Sequence, residues 1–309
     1  MSQRLQKEGF KELKEEKHWD LKAGGNYFVT RNHSAVIAFS IPKKPAWKFH
    51  IMASHSDSPA LKIKENPEME VEKAYIKLNV ERYGGMLLAP WFDRPLSVAG
   101  RLIVRKNGEI QEKLVAVDKD LLVIPNLAIH MNREVNDGYK YNVQKDMLPL
   151  YSDYDGKGSF MSLWLQRQMW QKRIFLVMIS FYMTGLRERS GVRMRNLSLR
   201  RDWMIFSVHL HLWRDFCVES ARKVLRCIAC WIMRKWAALR NRGAASTFLK
   251  DTLMRINMGL GRTQEEYLMT LADSFMVSAD NAHALHPNHT DKTDPVNRPV
   301  LKWRNCDQI

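Results

Sequence analysis

Two places in this chain carry side chains suited to holding a metal ion. The first is His55-Ser56-Asp57-Ser58-Pro59, directly after the apolar run Phe49-His50-Ile51-Met52-Ala53-Ser54. Neutral imidazole is a good zinc ligand, and a carboxylate two residues on can fix its ring orientation and raise its basicity. The same residues also suit a loop histidine beside a turn-capping aspartate. The second place is Asp280-Asn281-Ala282-His283-Ala284-Leu285-His286-Pro287-Asn288-His289, which follows Met276-Val277-Ser278-Ala279. It offers a carboxylate and imidazoles at the end of a second short apolar run, or simply a polar loop.

The elements that must position these groups are short strands and helices. Residues 1–18 are charged and helix-prone, and Gly24-Gly25-Asn26 makes a turn before the β-like runs Tyr27–Thr30 and Ala35–Ser40. A proline-containing loop leads into the strand that ends at His55. From Leu61 to about Leu150 the pattern becomes many short strands (Tyr75–Val80, Leu102–Val104, Leu114–Val117, Leu121–Ile124) separated by Gly84-Gly85, Asn107-Gly108 and Pro125-Asn126. That spacing predicts a small all-β unit. Ala244–Met258 and Gln264–Phe275 have helical character, and Met276–Ala279 reads as a strand delivering Asp280 at its end.

The composition breaks between about residues 163 and 242. That stretch holds 17 basic residues (14 Arg, 3 Lys) against 4 acidic, a net of +13 out of the chain's +16, and the remainder is almost neutral. It contains six of the ten Trp and three of the four Cys, with no Pro and only Gly185 and Gly191. A strong positive charge ordinarily points to nucleic acid or an anionic membrane; here almost all of it sits in one anomalous segment. The longest apolar run, Ile174 to Met183, is ten residues, well short of the ~20 that cross a bilayer. The start, Met1-Ser2-Gln3-Arg4-Leu5, has no signal-peptide apolar core. Four cysteines give no disulfide framework, so a reducing, cytoplasmic setting is expected.

Taken together, the segments Ala53–Pro59, Tyr83-Gly84-Gly85, Trp91-Phe92-Asp93-Arg94, Leu127-Ala128-Ile129-His130 and Ser278–Asn288 resemble the aspartyl aminopeptidase family of dinuclear-zinc metallopeptidases. The resemblance runs from Gly9 to Ser159 and again from Gly243 to Leu301. It implies an α/β fold, a three-layer α/β/α zinc-peptidase domain (residues 1–60 and 156–309) interrupted by a β-rich dimerisation insert at 61–155. It also implies two zinc ions, peptide substrates with acidic N-terminal residues, and a homo-oligomer. Nucleic acid and membranes are not expected partners. By the same resemblance His55 is a metal ligand, Asp57 the catalytic carboxylate that orients it, and Asp280 a ligand of the other zinc. His130 is a substrate-binding residue reaching toward a neighbouring subunit's pocket; a buried structural histidine is the competing reading. His283 and His286 shape their loop.

Three parts of the family's site are absent: an Arg-Leu-Asp-Asp motif and an Asp-Asn-Glu-Glu-Val-Gly motif, both expected inside the anomalous stretch, and a last histidine, expected beyond Ile309. The genetic code supplies a reason. Joining the third base of each codon to the first two of the next turns Trp203-Met204-Ile205 into an obligatory Asp-Asp. Applied to Cys230 through Ala238, the same shift permits Leu-Asp-Asn-Glu-Glu-Val-Gly-Ser. Val177 through Gly185 likewise permits His-Asp-Leu-Phe-Leu-Tyr-Asp-Arg, and Lys302 through Gln308, with the opposite offset, permits Asn-Gly-Gly-Ile-Val-Ile-Lys. Residues of about 163–242 and 302–309 therefore read as out-of-frame translation, which makes Cys227-Ile228-Ala229-Cys230 an accidental CxxC. The expectation for the written chain is an incomplete active site with little peptidase activity. The alternatives are a basic protein binding nucleic acid through 163–242, or an unstable fragment.

Overall fold

The computed structural model describes residues 1–32, 34–43, 48–55, 57, 59–106, 109–117, 119–166, 175–184, 189–191, 197–199, 225–231, 246–280 and 283–300. Within 105–106, 164–166, 175–184, 189–191, 197–199 and 225–231 the description is of the backbone. The chain divides into two compact units, Met1–Asp57 with Asp202–Ile309, and Ser58–Arg201.

The first unit opens with a six-residue helix, α1 (Ser2–Lys7), where the charged start suggests a longer one. Gly9, at φ +83°, turns the chain out of the helix. Lys11–Leu13 then forms β1, running parallel to β2 (Asn26–Arg31). β2 returns antiparallel as β3 (Ala35–Ser40), and β4 (Phe49–His55) follows. Alternation along these strands divides their side chains between two cores. Tyr27, Val29, Ile37 and Phe39 join Phe49, Ile51 and Ala53 in one cluster, while Phe28, Val36 and Ala38 join Leu5 of α1 and Phe10 in another. A strand buried on both faces reads as a continuous apolar run, as Ala35–Phe39 does.

The chain then builds the second unit. β5 (Ala60–Val71) and β6 (Tyr75–Tyr83) form a long antiparallel hairpin whose turn places Glu72 and Lys73 at φ +47° and +51°. Such turns favour Asn-Gly, so this hairpin carries no sequence signal. A second hairpin joins β7 (Leu96–Lys106) to β8 (Glu109–Ala116), and β9 (Leu150–Asp153) pairs with β6. Leu121–Ile124 contributes isolated bridges, Leu96↔Leu122 and Val123↔Leu150, in place of a full strand. β10 (Phe175–Thr184) lies between β7 and β5, completing the order β8-β7-β10-β5-β6-β9. This antiparallel sheet covers a core of Leu61, Ile63, Leu78, Val80, Trp91 and Phe160, among others. The short helices α2 (Val143–Asp146) and α3 (Ser159–Gln166) and the two-stranded pair β11 (Arg189–Gly191) and β12 (Leu197–Leu199) belong to the same unit.

Two further strands return to the first sheet. β13 (Leu225–Trp231) enters between β3 and β4, and β14 (Phe275–Ser278) takes the far edge, giving the order β1-β2-β3-β13-β4-β14. Between them lie α3's successors in the chain, α4 (Phe248–Gly259) and α5 (Gln264–Ala272). Phe248, Leu253 and Ile256 of α4 and Tyr267 of α5 cover the sheet face that carries Ile37, Phe39 and Ile51. Thr263 and Glu266 form a capping box that starts α5. This is the mixed α/β fold expected from the sequence.

Arg31 ties three parts of the first unit together. Its guanidinium donates to Glu15 (Nε to Oε1, 3.0 Å), to Asp251 of α4 (3.0 Å) and to Thr247, and lies 4.6 Å from the Phe248 ring centroid. Burial pushes the Asp251 carboxyl up, but the hydrogen bonds from Thr247 and Arg31 outweigh it and hold the group below its ordinary range. Replacing Arg31 by Met is expected to cost about 1–3 kcal/mol in urea unfolding, since two carboxylates lose their donor. A carboxyl held low stabilises the fold above its unfolded-state pKa and loses that contribution as pH falls through the folded one. The acid side of the stability profile is therefore predicted to be shallower in Arg31→Met than in the parent chain.

Candidate functional site

In a sheet of parallel neighbours every strand ends at the same edge, and in open α/β sheets ligands bind outside the carboxyl ends of the strands. β4 ends at His55, and β14 runs parallel to it with Ser278 opposite Ala53. The Ala279 amide donates to the Ala53 carbonyl at 2.8 Å, extending the pairing by one step. The next residue, Asp280, is thereby delivered beside His55.

The three side chains meet. His55 Nδ1 lies 3.1 Å from Asp57 Oδ1, and His55 Nε2 lies 3.3 Å from Asp280 Oδ1. His55 and Asp57 are each 17% exposed and Asp280 36%, so the imidazole is sheltered on one side and reachable on the other. A carboxylate on Nδ1 fixes the tautomer that leaves Nε2 with its lone pair outward, the arrangement typical of a metal-ligating histidine. Two ligands on one tetrahedral zinc, with bonds of ~2.0–2.1 Å, stand about 3.3 Å apart. His55 Nε2 and Asp280 Oδ1 have that separation, the spacing of ligands sharing one ion.

The donors therefore match zinc in kind but fall short in number. Structural and catalytic zinc sites use three or four protein ligands. Among the described residues no group of three or more His, Cys, Asp or Glu could hold a metal. No reaction step follows from two donors alone.

β13 adds what the sequence did not announce. It runs parallel to β4 over its whole length, with Ala229 opposite Ala53 and Trp231 opposite His55. A third strand thus leaves the sheet at the same edge, on the other side of His55 from Asp280. The signal that could have located it is the apolar run Cys227–Trp231, which the surrounding arginines obscure. Cys227 and Cys230 lie within this extended strand and not on a turn of the kind that closes a CxxC metal loop.

His130 belongs to the second unit, on a short 3-10 turn (Ile129–Met131) in the segment after Pro125. It is exposed, which excludes the buried structural histidine. His286 and His289 face each other across a small turn, ring centroids 4.9 Å apart, and His286 Nδ1 accepts the Asn288 amide. His283 is exposed. The motif residues Trp203-Met204-Ile205 lie outside the described residues, as do Asn281, Ala282 and residues 301–309.

A family profile described as "Aminopeptidase I zinc metalloprotease (M18)" matches residues 1–159 and 225–303. A Clostridium acetobutylicum protein, "Probable M18 family aminopeptidase 2", is 38% identical over 301 residues, covering 95% of this chain and 70% of the relative. The cryo-EM structure of an Ape4 and Nbr1 complex contains a chain 29% identical, with a TM-score of 0.87 over 97% of this chain and 62% of that one. The S. cerevisiae mApe1 dodecamer, 20% identical, shares the fold with a TM-score of 0.77 over 97% of this chain and 70% of its own.

With only two donors in place, zinc is expected to raise the melting temperature of this chain only at ligand concentrations far above the micromolar range. His55→Gln and Asp280→Asn should each abolish that shift, and Asp57→Asn should weaken it. A thermal-shift titration with and without chelator reads all three.

Proposed function

The chain belongs to the M18 aminopeptidase family of zinc metalloproteases, and from that premise we propose that it carries one edge of the family's peptidase site, with the remaining acids lost to a displaced reading frame. The observation that carries this reading is the convergence of His55, Asp57, Asp280 and the end of β13 at a single edge of one sheet.

In this reading the 3.3 Å spacing puts His55 and Asp280 on one zinc, where the resemblance implies that Asp280 binds the other ion, and Asp57 holds the His55 ring. When bound, zinc supplies Lewis acidity that lowers the pKa of water and polarises a peptide carbonyl. The family profile leaves residues 160–224 unmatched, most of the arginine-rich stretch, and matches 225–303, which takes in residues 225–242 of that stretch and begins at the first residue of β13. The shifted reading of Cys230 through Ala238 begins in the last two residues of that strand. It would bring its Asp and then its Glu-Glu pair out of the sheet at the edge where Trp231 stands opposite His55. A general base and a further ligand are needed at that place. Out-of-frame decoding also accounts for the +13 charge without selection for nucleic acid.

Several finer features belong to the same proposal. Unit Ser58–Arg201 corresponds to the β-rich insert, extended by β10. His130 reaches a neighbouring subunit's substrate pocket in a homo-oligomer, a state that the yeast mApe1 also adopts. The substrates are peptides with acidic N-terminal residues, and the setting is a reducing cytoplasm. No helix among the described residues is long and apolar enough to cross a membrane.

Two proteins test the reading together: the written 309-residue chain, and a recoded chain carrying the shifted translation of residues 163–242. The written chain should show no chelator-sensitive release of N-terminal aspartate, because the acids that hold the second ion and accept the water's proton are missing. The recoded chain should bind more zinc per polypeptide. Chelator-sensitive turnover by the written chain contradicts the proposal.

A further inference from the structure

Of the segments singled out in the sequence, Trp91-Phe92-Asp93-Arg94 is left without a role by the edge site. Trp91 and Phe92 are buried in the core of the second unit, and Ile124 is buried in the same cluster. Asp93 stands between them and the solvent in the left-handed backbone region, at φ +53°, which is uncommon for a residue with a Cβ. That conformation turns its carboxylate onto the chain leaving Ile124. The Asp93 amide donates to the Ile124 carbonyl (2.9 Å), the Asn126 amide donates to Asp93 Oδ1 (2.9 Å), and Asn126 Nδ2 donates to Asp93 Oδ2 (2.6 Å). Both carboxylate oxygens are thus used on one residue, and these bonds hold the carboxyl below its ordinary range, the backbone bond most of all.

Asn126 begins the exposed segment that carries His130. Leu127, Ile129 and Met131 are 54%, 46% and 71% exposed, so the segment stands clear of the core that anchors its start. We propose that Asp93 is the positioning residue of this segment: it grips Asn126 from a core-anchored base and so sets where His130 is presented. The proposal rests on the reading of His130 as a substrate-pocket residue.

The clamp has a direction, donors on Asn126 and acceptors on Asp93, and can be reversed. Asp93→Asn keeps a residue that tolerates the left-handed conformation and, once the Asn126 amide flips, keeps both bonds but without their charge assistance. Asn126→Asp sets two carboxylates against each other. In the double variant Asp93→Asn with Asn126→Asp, the Asn oxygen can accept the amide of position 126 and its NH2 can donate to the new carboxylate. Asp93→Gly relaxes the backbone while removing the grip, which separates conformation from hydrogen bonding.

Hydrogen–deuterium exchange of the full chain reads the outcome, with β5 and β6 as the internal control for an intact sheet. Asn126→Asp and Asp93→Gly are each expected to speed exchange across residues 126–136 roughly fivefold, as local opening loses two charge-assisted hydrogen bonds, and Asp93→Asn to speed it less. The double variant should restore the parent rate, a rescue that generic loosening of the fold would not produce. Unchanged exchange in Asn126→Asp and Asp93→Gly, or a double variant as fast as Asn126→Asp, overturns the clamp. His130→Ala should leave exchange at the parent rate, and its own effect is read on peptide hydrolysis by the recoded chain. Failure of the His130 role therefore shows in that assay alone and leaves the clamp standing.

Discussion

The proposed site depends on parallel pairing around β4. Strands β13 and β14 flank β4 and run with it, so three chain segments far apart in sequence leave the sheet at one edge. Backbone hydrogen bonds set the register to the residue, and the last of them, Ala279 to Ala53, decides that the following carboxylate meets an imidazole. A slip of one residue would turn Asp280 to the opposite face. The geometry of the pair is therefore a property of the ladder, and the helices α4 and α5 support it by filling the face beneath.

The same ladder explains how a chain can look both intact and damaged. His55, Asp57 and Asp280 lie in segments whose composition is ordinary, and their side chains meet at one sheet edge. The partner strand β13 lies in the arginine-rich stretch, yet it pairs with β3 and β4 along its length. Backbone pairing asks only for an extended run without proline, and Leu225–Trp231 supplies one. Chemistry asks for specific acids, and in the proposed reading those are what a displaced frame would not preserve. Scaffold and site would then part company at Trp231, where the strand ends.

Much of this was legible beforehand. The apolar run Phe49–Ser54 ending in His-x-Asp located one half of the cluster at the sheet edge, and Met276–Ala279 located the other, because strand ends are where a β ladder releases side chains. The two helices before β14 were also visible in the helical character of Ala244–Met258 and Gln264–Phe275. Strand order was not, since nothing local tells β13 to enter between β3 and β4. The β5–β6 hairpin hid for a different reason: its turn uses Glu72 and Lys73 where glycine or asparagine would have marked it. The charged N-terminus misled, because helix-forming residues after Gly9 gain more by pairing with β2 than by extending α1. The role of Asp93 was hidden because its partner is 33 residues away.

The claim at the centre, that the site's missing acids are still written in the nucleotides, is tested most directly by the codons themselves. For the shifted frame to spell Asp-Asn-Glu-Glu-Val after the strand, Ile232 must be encoded by ATA, Arg234 by AGG and Lys235 by AAG. Sequencing the locus is expected to return those three codons within a frame displaced over residues 163–242. A CGN codon at Arg234, or a continuous frame with no displacement, would contradict the account.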